Sequence, residues 1–293
     1  MSLCRRFYRI GRTVVDVWNE FDQSNLTIGH FALQRLLECR VAKMRLMSAR
    51  IFTENLNYAV PANILFDRLA YLDLSYAVYT DFSILSSIMD RTVNLKYLNI
   101  ACFPAITQAL CHKIAKNKNL VYLNMEMCKH FNQDGILAIL KSCSKLMELN
   151  LSWAEFTPEV LKLVCRNMPI NLSHLSLSGM KSNFKDSDLR SILTTCSNLM
   201  EINLSDCIKI TSHVIKDLNQ FKSLKTINLS RCYGIEPMCF LELKHLHELD
   251  IYGCVTDDGV TLLCNELYPT QVNHSPLSTI ARPSFTHFYV RNS

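Results

Sequence analysis

The sequence predicts an α/β fold in which one strand–helix unit is repeated and stacked side by side. The first observation is a pattern of three apolar residues, Leu-x-x-Leu-x-Leu, which returns about every 26 residues. It begins with Leu69-Leu72-Leu74 and continues to Leu246-Leu249-Ile251. The second observation is the helical stretches between these motifs, at residues 134–141, 158–166 and 186–193. Pro158 suits a first helical turn, where its missing N–H costs nothing.

A period in the twenties with this apolar core is typical of leucine-rich repeats, each a short strand plus a helix. One unit cannot bury its own apolar face, so the units are expected to stack into a curved solenoid, or horseshoe. Parallel strands would line the concave face and helices the convex face. Such a face offers a long surface for another macromolecule, so the sequence favours a binding protein.

Four segments are predicted along the chain. Residues 1–18 read as an amphipathic helix and residues 19–60 as irregular capping repeats, because terminal repeats are usually atypical. Residues 61–270 hold the regular repeats, and residues 271–293 form an extended tail with two prolines near its start. The Arg-rich, acid-free start also matches a mitochondrial transit peptide, which leaves a mitochondrial assembly factor as an open alternative.

The composition excludes several classes of protein. Apolar residues make up 49% and charged residues 19%, which is typical of a folded chain, and the net charge is +5. Without a run of basic residues we expect no nucleic-acid partner, and without a long apolar stretch we expect no membrane span. The sequence has no phosphate loop and no nucleophile elbow, so we predict no enzyme and no cofactor.

The chain has 13 cysteines and no Cys-x-x-Cys pair, so a metal site is not predicted. Their regular positions next to the strand motifs indicate buried, reduced thiols that fill the turns. Reduced thiols are typical of the cytosol or nucleus. The residues that support this interpretation are Cys128, Cys143, Cys196, Cys207, Cys232 and Cys254.

Two rows of residues follow from the strand alternation. The residue between the last two apolar positions is expected to point outward on an exposed strand face, as a row of soluble polar groups. These residues are Asp73, Asn99, Asn124, Asn150, Ser176, Asn203, Asn228 and Asp250. Two residues past each strand motif lies a second row, which we call the edge ladder: Cys102, Met127, Trp153, Gly179, Asp206, Arg231 and Gly253.

Three members of the edge ladder, Trp153, Asp206 and Arg231, are expected within roughly 15 Å of one another, given the spacing of parallel strands. Trp and Arg dominate interaction hot spots, so this edge is a candidate partner site. The alternative is that Trp153 covers the core while the two charges are merely solvated.

The chain resembles the S-phase kinase-associated F-box protein family, the leucine-rich substrate receptors of cullin-RING ubiquitin ligases. The resemblance is carried by residues 119–124, 146–153, 185–189 and 229–233, and above all by the tail segment Ser278–Pro283. It implies a non-catalytic receptor in nucleus and cytoplasm that binds phosphorylated cell-cycle regulators for ubiquitin-dependent degradation. It further implies a Skp-type adaptor, a Cks-type accessory protein and a tail folded back on the concave face.

The resemblance also implies which residues bind the accessory protein. Family docking residues fall on Trp153, Asp206, Arg231 and Tyr233, which match in type. Lys181 stands where the family has Arg, which keeps the charge but loses the planar fork. Leu277 stands where the family has Phe, so an aromatic anchor is lost.

The start of the chain departs from the family. Residues 1–18 resemble only the last helix of an F-box, so most of that module is expected to be missing before Met1. The chain is then either an incomplete gene model or a true short form that competes for substrate. A leucine-rich-repeat scaffold without a link to a ligase is the alternative function.

Overall fold

A computed structural model describes residues 19–52, 65–181 and 183–274. The chain divides into two compact units, Met1–Leu146 and Met147–Ser293. In both units short parallel strands alternate with helices, and within each unit the strands of neighbouring repeats pair with each other.

The described part of the first unit contains two parallel sheets. The larger sheet holds the middle leucine of each motif in its strands, with Leu72 paired to Leu98 and Leu98 to Leu123. Its strands are Glu20–Asp22, Lys43–Arg45, Tyr71–Asp73, Tyr97–Asn99 and Tyr122–Asn124. The smaller sheet consists of Thr27–Gly29, Arg50–Phe52 and Val78–Tyr79. The helices are His30–Glu38, Ser83–Met89, Gln108–Ile114 and Gln133–Ser142.

The described part of the second unit contains one parallel sheet of six strands, in chain order. These are Glu148–Asn150, His174–Ser176, Glu201–Asn203, Thr226–Asn228, Glu248–Asp250 and Gln271–Val272. The α-helices are Pro158–Arg166, Asp186–Thr195, His213–Gln220 and Asp257–Glu266, and Pro237–Glu242 forms a 3-10 helix.

The motif residues form the core, and local signals start the helices. Leu72, Ile202 and Ile227 are fully buried at strand centres, as the alternation predicts. Pro158 lies in the first turn of its helix, after Thr157, whose side chain accepts a hydrogen bond from the Val160 N–H. The parallel strands and intervening helices confirm the predicted α/β leucine-rich-repeat class.

The predicted segment boundaries at residues 18, 60 and 270 stay predictions. Residues 1–18 and 275–293 lie outside the described residues, and with them the expected F-box remnant and most of the tail.

The interpretation of the polar row as an exposed face is wrong. Asp73, Asn124 and Asn150 are buried, because their side chains complete the turn after each strand. Asn150 Oδ1 accepts a hydrogen bond of 2.9 Å from the Ser152 N–H, and Asn203 Oδ1 accepts one of 3.0 Å from the Ser205 N–H. This Asx-type turn recurs from repeat to repeat, so these residues shape the backbone.

The buried cysteines form a second repeating feature, and the predicted burial is confirmed for five of the six cysteines named above. Cys207 donates its S–H to the Leu177 carbonyl at 3.4 Å, and Cys232 donates to the Leu204 carbonyl at 3.2 Å. Each thiol thus bonds to the preceding repeat. Cys128, Cys143 and Cys196 are buried in the same way, whereas Cys254 is half-buried.

Candidate functional site

In the second unit, the edge ladder lies in the turn that follows each strand. All of its residues there have a left-handed backbone: φ is 58° at Trp153, 77° at Gly179, 63° at Asp206, 59° at Arg231 and 73° at Gly253. For a residue with a Cβ this conformation costs about 1–2 kcal/mol. Local backbone strain of this kind is a reason to ask whether the side chains serve a function.

Backbone hydrogen bonds explain why the ladder residues tolerate this conformation. The N–H of Trp153 donates to the Ser178 carbonyl at 2.7 Å, and the N–H of Asp206 donates to the Ser230 carbonyl at 2.9 Å. Buried serines tie the same turns together, with 2.6 Å between Ser152 Oγ and Ser176 Oγ. These hydrogen bonds between repeats therefore stabilise the left-handed conformation of each turn. The side chains of the ladder residues point away from the core.

Asp206 and Arg231 form a bidentate ion pair. Arg231 Nε donates to Asp206 Oδ1 at 2.7 Å, and Nη2 donates to Oδ2 at 2.6 Å. The hydrogen bonds to Asp206 raise the pKa of Arg231 above its ordinary value. A planar guanidinium makes this double contact and a lysine could not, so the pair fixes both side chains in one orientation.

Trp153 and Lys181 form the second contact of the site. The Lys181 ammonium lies over the indole, 5.5 Å from the ring centroid, which is within the range of a cation–π interaction. The indole also lies against the backbone of Gly179 in the next repeat, because a Cβ placed there would be 2.3 Å from Trp153 Cδ2. Trp153 is half-buried, and Lys181 is exposed.

The predicted site residues thus occur as two contacting pairs and one separate residue. Asp206 contacts Arg231, and Trp153 contacts Lys181. Tyr233 is 65% exposed in the turn after Arg231, and Ile208, at the equivalent position of the preceding repeat, is 44% exposed. Leu277 lies outside the described residues. The assignment of these residues to a partner site stays a prediction.

Sequence reasoning missed the role of Gly179. It was recognised as a ladder position but not as the surface on which Trp153 rests. The available signal was the order of residue sizes, a tryptophan followed one repeat later by glycine at the equivalent position.

The rest of the described chain offers little for chemistry. Within residues 19–52, 65–181 and 183–274 there is no group of three or more His, Cys, Asp and Glu side chains that could hold a metal ion. Burial raises the pKa of Cys143 to about 11 and that of Cys196 to about 12, so these thiols are poor nucleophiles near neutral pH. No helix in the described ranges is long and apolar enough to span a membrane.

The fold defines a leucine-rich-repeat protein, and comparison with known proteins identifies its family. The family described as the SKP2 LRR domain matches residues 31–292. The chain therefore belongs to the SKP2 LRR domain family.

Curated relatives are more distant. The chain is 27% identical over 169 residues to "Putative F-box/LRR-repeat protein 23" of Arabidopsis thaliana, covering 53% of this chain and 36% of that protein. It is 30% identical over 144 residues to "F-box/LRR-repeat protein 4" of Bos taurus, covering 44% and 22%. It is 21% identical over 215 residues to "F-box/LRR-repeat protein 21" of Bos taurus, covering 65% and 49%. The chain spans less than half the length of each of these relatives.

Among solved structures, the chain is similar to a chain of the crystal structure of the Rad7 and Elc1 complex in yeast. The TM-score is 0.53 at 18% identity, covering 81% of this chain and 64% of that chain. At this identity the likeness supports the shared fold alone.

Proposed function

We propose that this chain forms the substrate-binding repeats of an SCF-type (Skp-cullin-F-box) E3 ubiquitin ligase. The observation that carries the proposal is membership of the SKP2 LRR domain family over residues 31–292. The names of the curated relatives support it, since they combine an F-box with leucine-rich repeats. Within such a receptor the F-box binds a Skp-type adaptor, and the repeats hold the substrate.

The proposed mechanism is proximity without a catalytic step by this chain. The repeats would hold a substrate lysine near a ubiquitin-charged E2, which raises the effective concentration of the reacting groups. The proposed substrates are phosphorylated cell-cycle regulators, and the proposed location is the nucleus and cytoplasm.

The edge ladder is the proposed docking site of a Cks-type accessory protein, through Trp153, Lys181, Asp206, Arg231 and Tyr233. Support comes from the half-buried indole, the fixed guanidinium and the exposed phenol at one sheet edge, since Trp, Tyr and Arg dominate protein interfaces. Leu277 of the tail is proposed to join this site.

A pull-down with the Skp-type adaptor tests the link to the ligase. It should compare this chain with a version extended upstream to include an F-box. Adaptor binding by the extended version supports the receptor function. If neither version binds the adaptor, the chain is instead a scaffold or competitor made of leucine-rich repeats.

Calorimetric titration with the Cks-type protein tests the docking site. Trp153→Ala and Arg231→Ala are each expected to weaken binding by about 1–2 kcal/mol or more, because each removes an anchor of the edge. Arg190→Ala is the matched control, since Arg190 pairs with Asp217 on the surface of the same unit but lies outside the edge ladder. Unchanged affinity in both edge variants would exclude this docking site.

A further inference from the structure

We propose that Gly179 is a positioning residue of the edge ladder, which holds the Trp153 indole in the orientation needed for partner binding. The inference deepens the docking site proposed above and rests on that proposal for its functional part. Its structural part, the contact between residues 153 and 179, can be tested without any partner.

Backbone conformation alone does not explain the glycine. Trp153, Asp206 and Arg231 occupy the equivalent turn with φ of 58°, 63° and 59°, and all three carry a full side chain. The turn at Gly179, with φ of 77°, belongs to the same series. A residue with a Cβ is therefore possible at this point of the repeat, at the usual cost of a left-handed residue.

What distinguishes position 179 is the indole of the preceding repeat. A Cβ on Gly179 would lie 2.3, 2.5 and 2.6 Å from Trp153 Cδ2, Cε2 and Cε3. Cδ2 and Cε2 are the two atoms shared by the fused rings, and Cε3 is bonded to Cδ2 in the six-membered ring, so the whole indole would have to leave its position. Any side chain at residue 179 is therefore incompatible with the orientation of Trp153.

Gly253 provides a matched comparison within the same unit. Its φ is 73°, so it has nearly the same backbone conformation as Gly179. The nearest atom to an added Cβ is Arg231 Cγ at 3.3 Å, so the Arg231 side chain would have to move by only a few tenths of an ångström. Gly179→Ala and Gly253→Ala thus share the backbone cost and differ in the clash with a ring.

The orientation matters because the same turn carries the charge that contacts the ring. Lys181 follows Gly179 by two residues and places its ammonium 5.5 Å from the indole centroid. When the indole rests on Gly179, the aromatic ring and the ammonium are held together as one surface. When it is displaced, both the position of the ring and its contact with Lys181 are lost.

Intrinsic fluorescence tests the structural part. The chain has two tryptophans, so Trp18→Phe leaves Trp153 as the reporter. In this background Gly179→Ala should shift Trp153 emission to the red, because the ring moves into water, whereas Gly253→Ala should leave it unchanged. Equal spectra for the two variants would overturn the proposal.

A double-mutant cycle tests whether the two residues act together. Gly179→Ala should lower the urea midpoint more than Gly253→Ala when Trp153 is present. In a Trp153→Ala background the two glycine variants should have equal effects, since the clash is gone. Additive effects of the changes at residues 153 and 179 would contradict the proposed contact.

Titration with the Cks-type protein tests the functional part. Gly179→Ala should weaken binding about tenfold, similar to Trp153→Ala, and the double variant should be no weaker than Trp153→Ala alone. Wild-type affinity in Gly179→Ala would reject the positioning role. If the unmodified chain does not bind the Cks-type protein, the docking site itself fails, while the fluorescence and the cycle still decide whether Gly179 seats Trp153.

Discussion

The ion pair between Asp206 and Arg231 is expected to stabilise the second unit measurably. The perturbation is Asp206→Asn, which keeps the size of the side chain but removes its charge. An asparagine oxygen accepts one of the two donated hydrogen bonds, while its amide group faces the other donor. Arg231 is then left as a largely shielded cation without its counter-charge.

The degree of shielding sets the magnitude. Only 22% of the Arg231 side chain and 15% of the Asp206 side chain are exposed. Exposed ion pairs contribute about 0.2–1 kcal/mol, whereas removing one partner of a buried pair costs about 3–5 kcal/mol. The Asp206–Arg231 pair lies between these limits, so Asp206→Asn is expected to lower the free energy of unfolding by ~2 kcal/mol.

Asp217→Asn is the matched control, because Asp217 also pairs with an arginine of the second unit. Arg190 Nε contacts Asp217 Oδ2 at 2.8 Å, with 52% and 29% of the two side chains exposed. The expected loss is at most ~0.5 kcal/mol, and it should disappear in about 0.5 M salt because exposed charges are screened. The effect of Asp206→Asn should persist at that salt concentration.

Urea unfolding followed by circular dichroism measures both variants, and amide hydrogen exchange at residues 206 and 231 assigns the loss to this part of the chain. If Asp206→Asn costs no more than Asp217→Asn, the pair contributes no more than an ordinary surface pair. The reasoning from shielding would then be refuted.

Two further predictions concern a histidine and the cysteines. Burial and nearby lysines lower the pKa of His245 below the ordinary value of 6.5, so the folded state binds fewer protons than the unfolded state. The free energy of unfolding should therefore fall as the pH drops below about 6.5. His245→Asn should reduce this fall, whereas His247→Asn, which changes an exposed histidine, should not. If the urea midpoints of the two variants depend on pH in the same way, His245 is not the group responsible. Burial also raises the pKa of Cys207 well above the ordinary value. Mass spectrometry after maleimide treatment should therefore find the half-buried Cys239 and Cys264 modified before Cys207, and early labelling of Cys207 in the folded chain would contradict its burial.

The repeat architecture could be predicted because each repeat carries its own complete pattern. The leucines of a motif fix the strand and its buried face, and the residues between motifs have room for one helix. The predicted helix at residues 158–166 therefore matches Pro158–Arg166 in both limits. One repeat differs because only 22 residues separate Asn228 from Asp250, and this shorter connection forms the 3-10 helix Pro237–Glu242.

The contacts of the site were less accessible to sequence reasoning. The alternation of a strand predicts that Asn150 points away from the core, but it cannot predict that the side chain folds back onto the Ser152 N–H. Likewise, the spacing placed Trp153 and Gly179 in one row, but the contact between them depends on a left-handed turn. Tryptophan and arginine rarely occupy a left-handed turn, so their presence did not predict it.

In the recurring turn after each strand, the backbone is bonded to the neighbouring repeat while the side chain lies at the surface. Trp153, Gly179, Asp206 and Arg231 each donate a main-chain N–H to the adjacent repeat, as with Arg231 N and the Tyr252 carbonyl at 2.8 Å. Strands and helices therefore need not be rebuilt when an edge side chain changes, and the energetic cost depends on the contacts that this side chain makes with its neighbours on the edge. Substitutions along this edge would therefore change the displayed surface while the buried residues of the repeats stay constant.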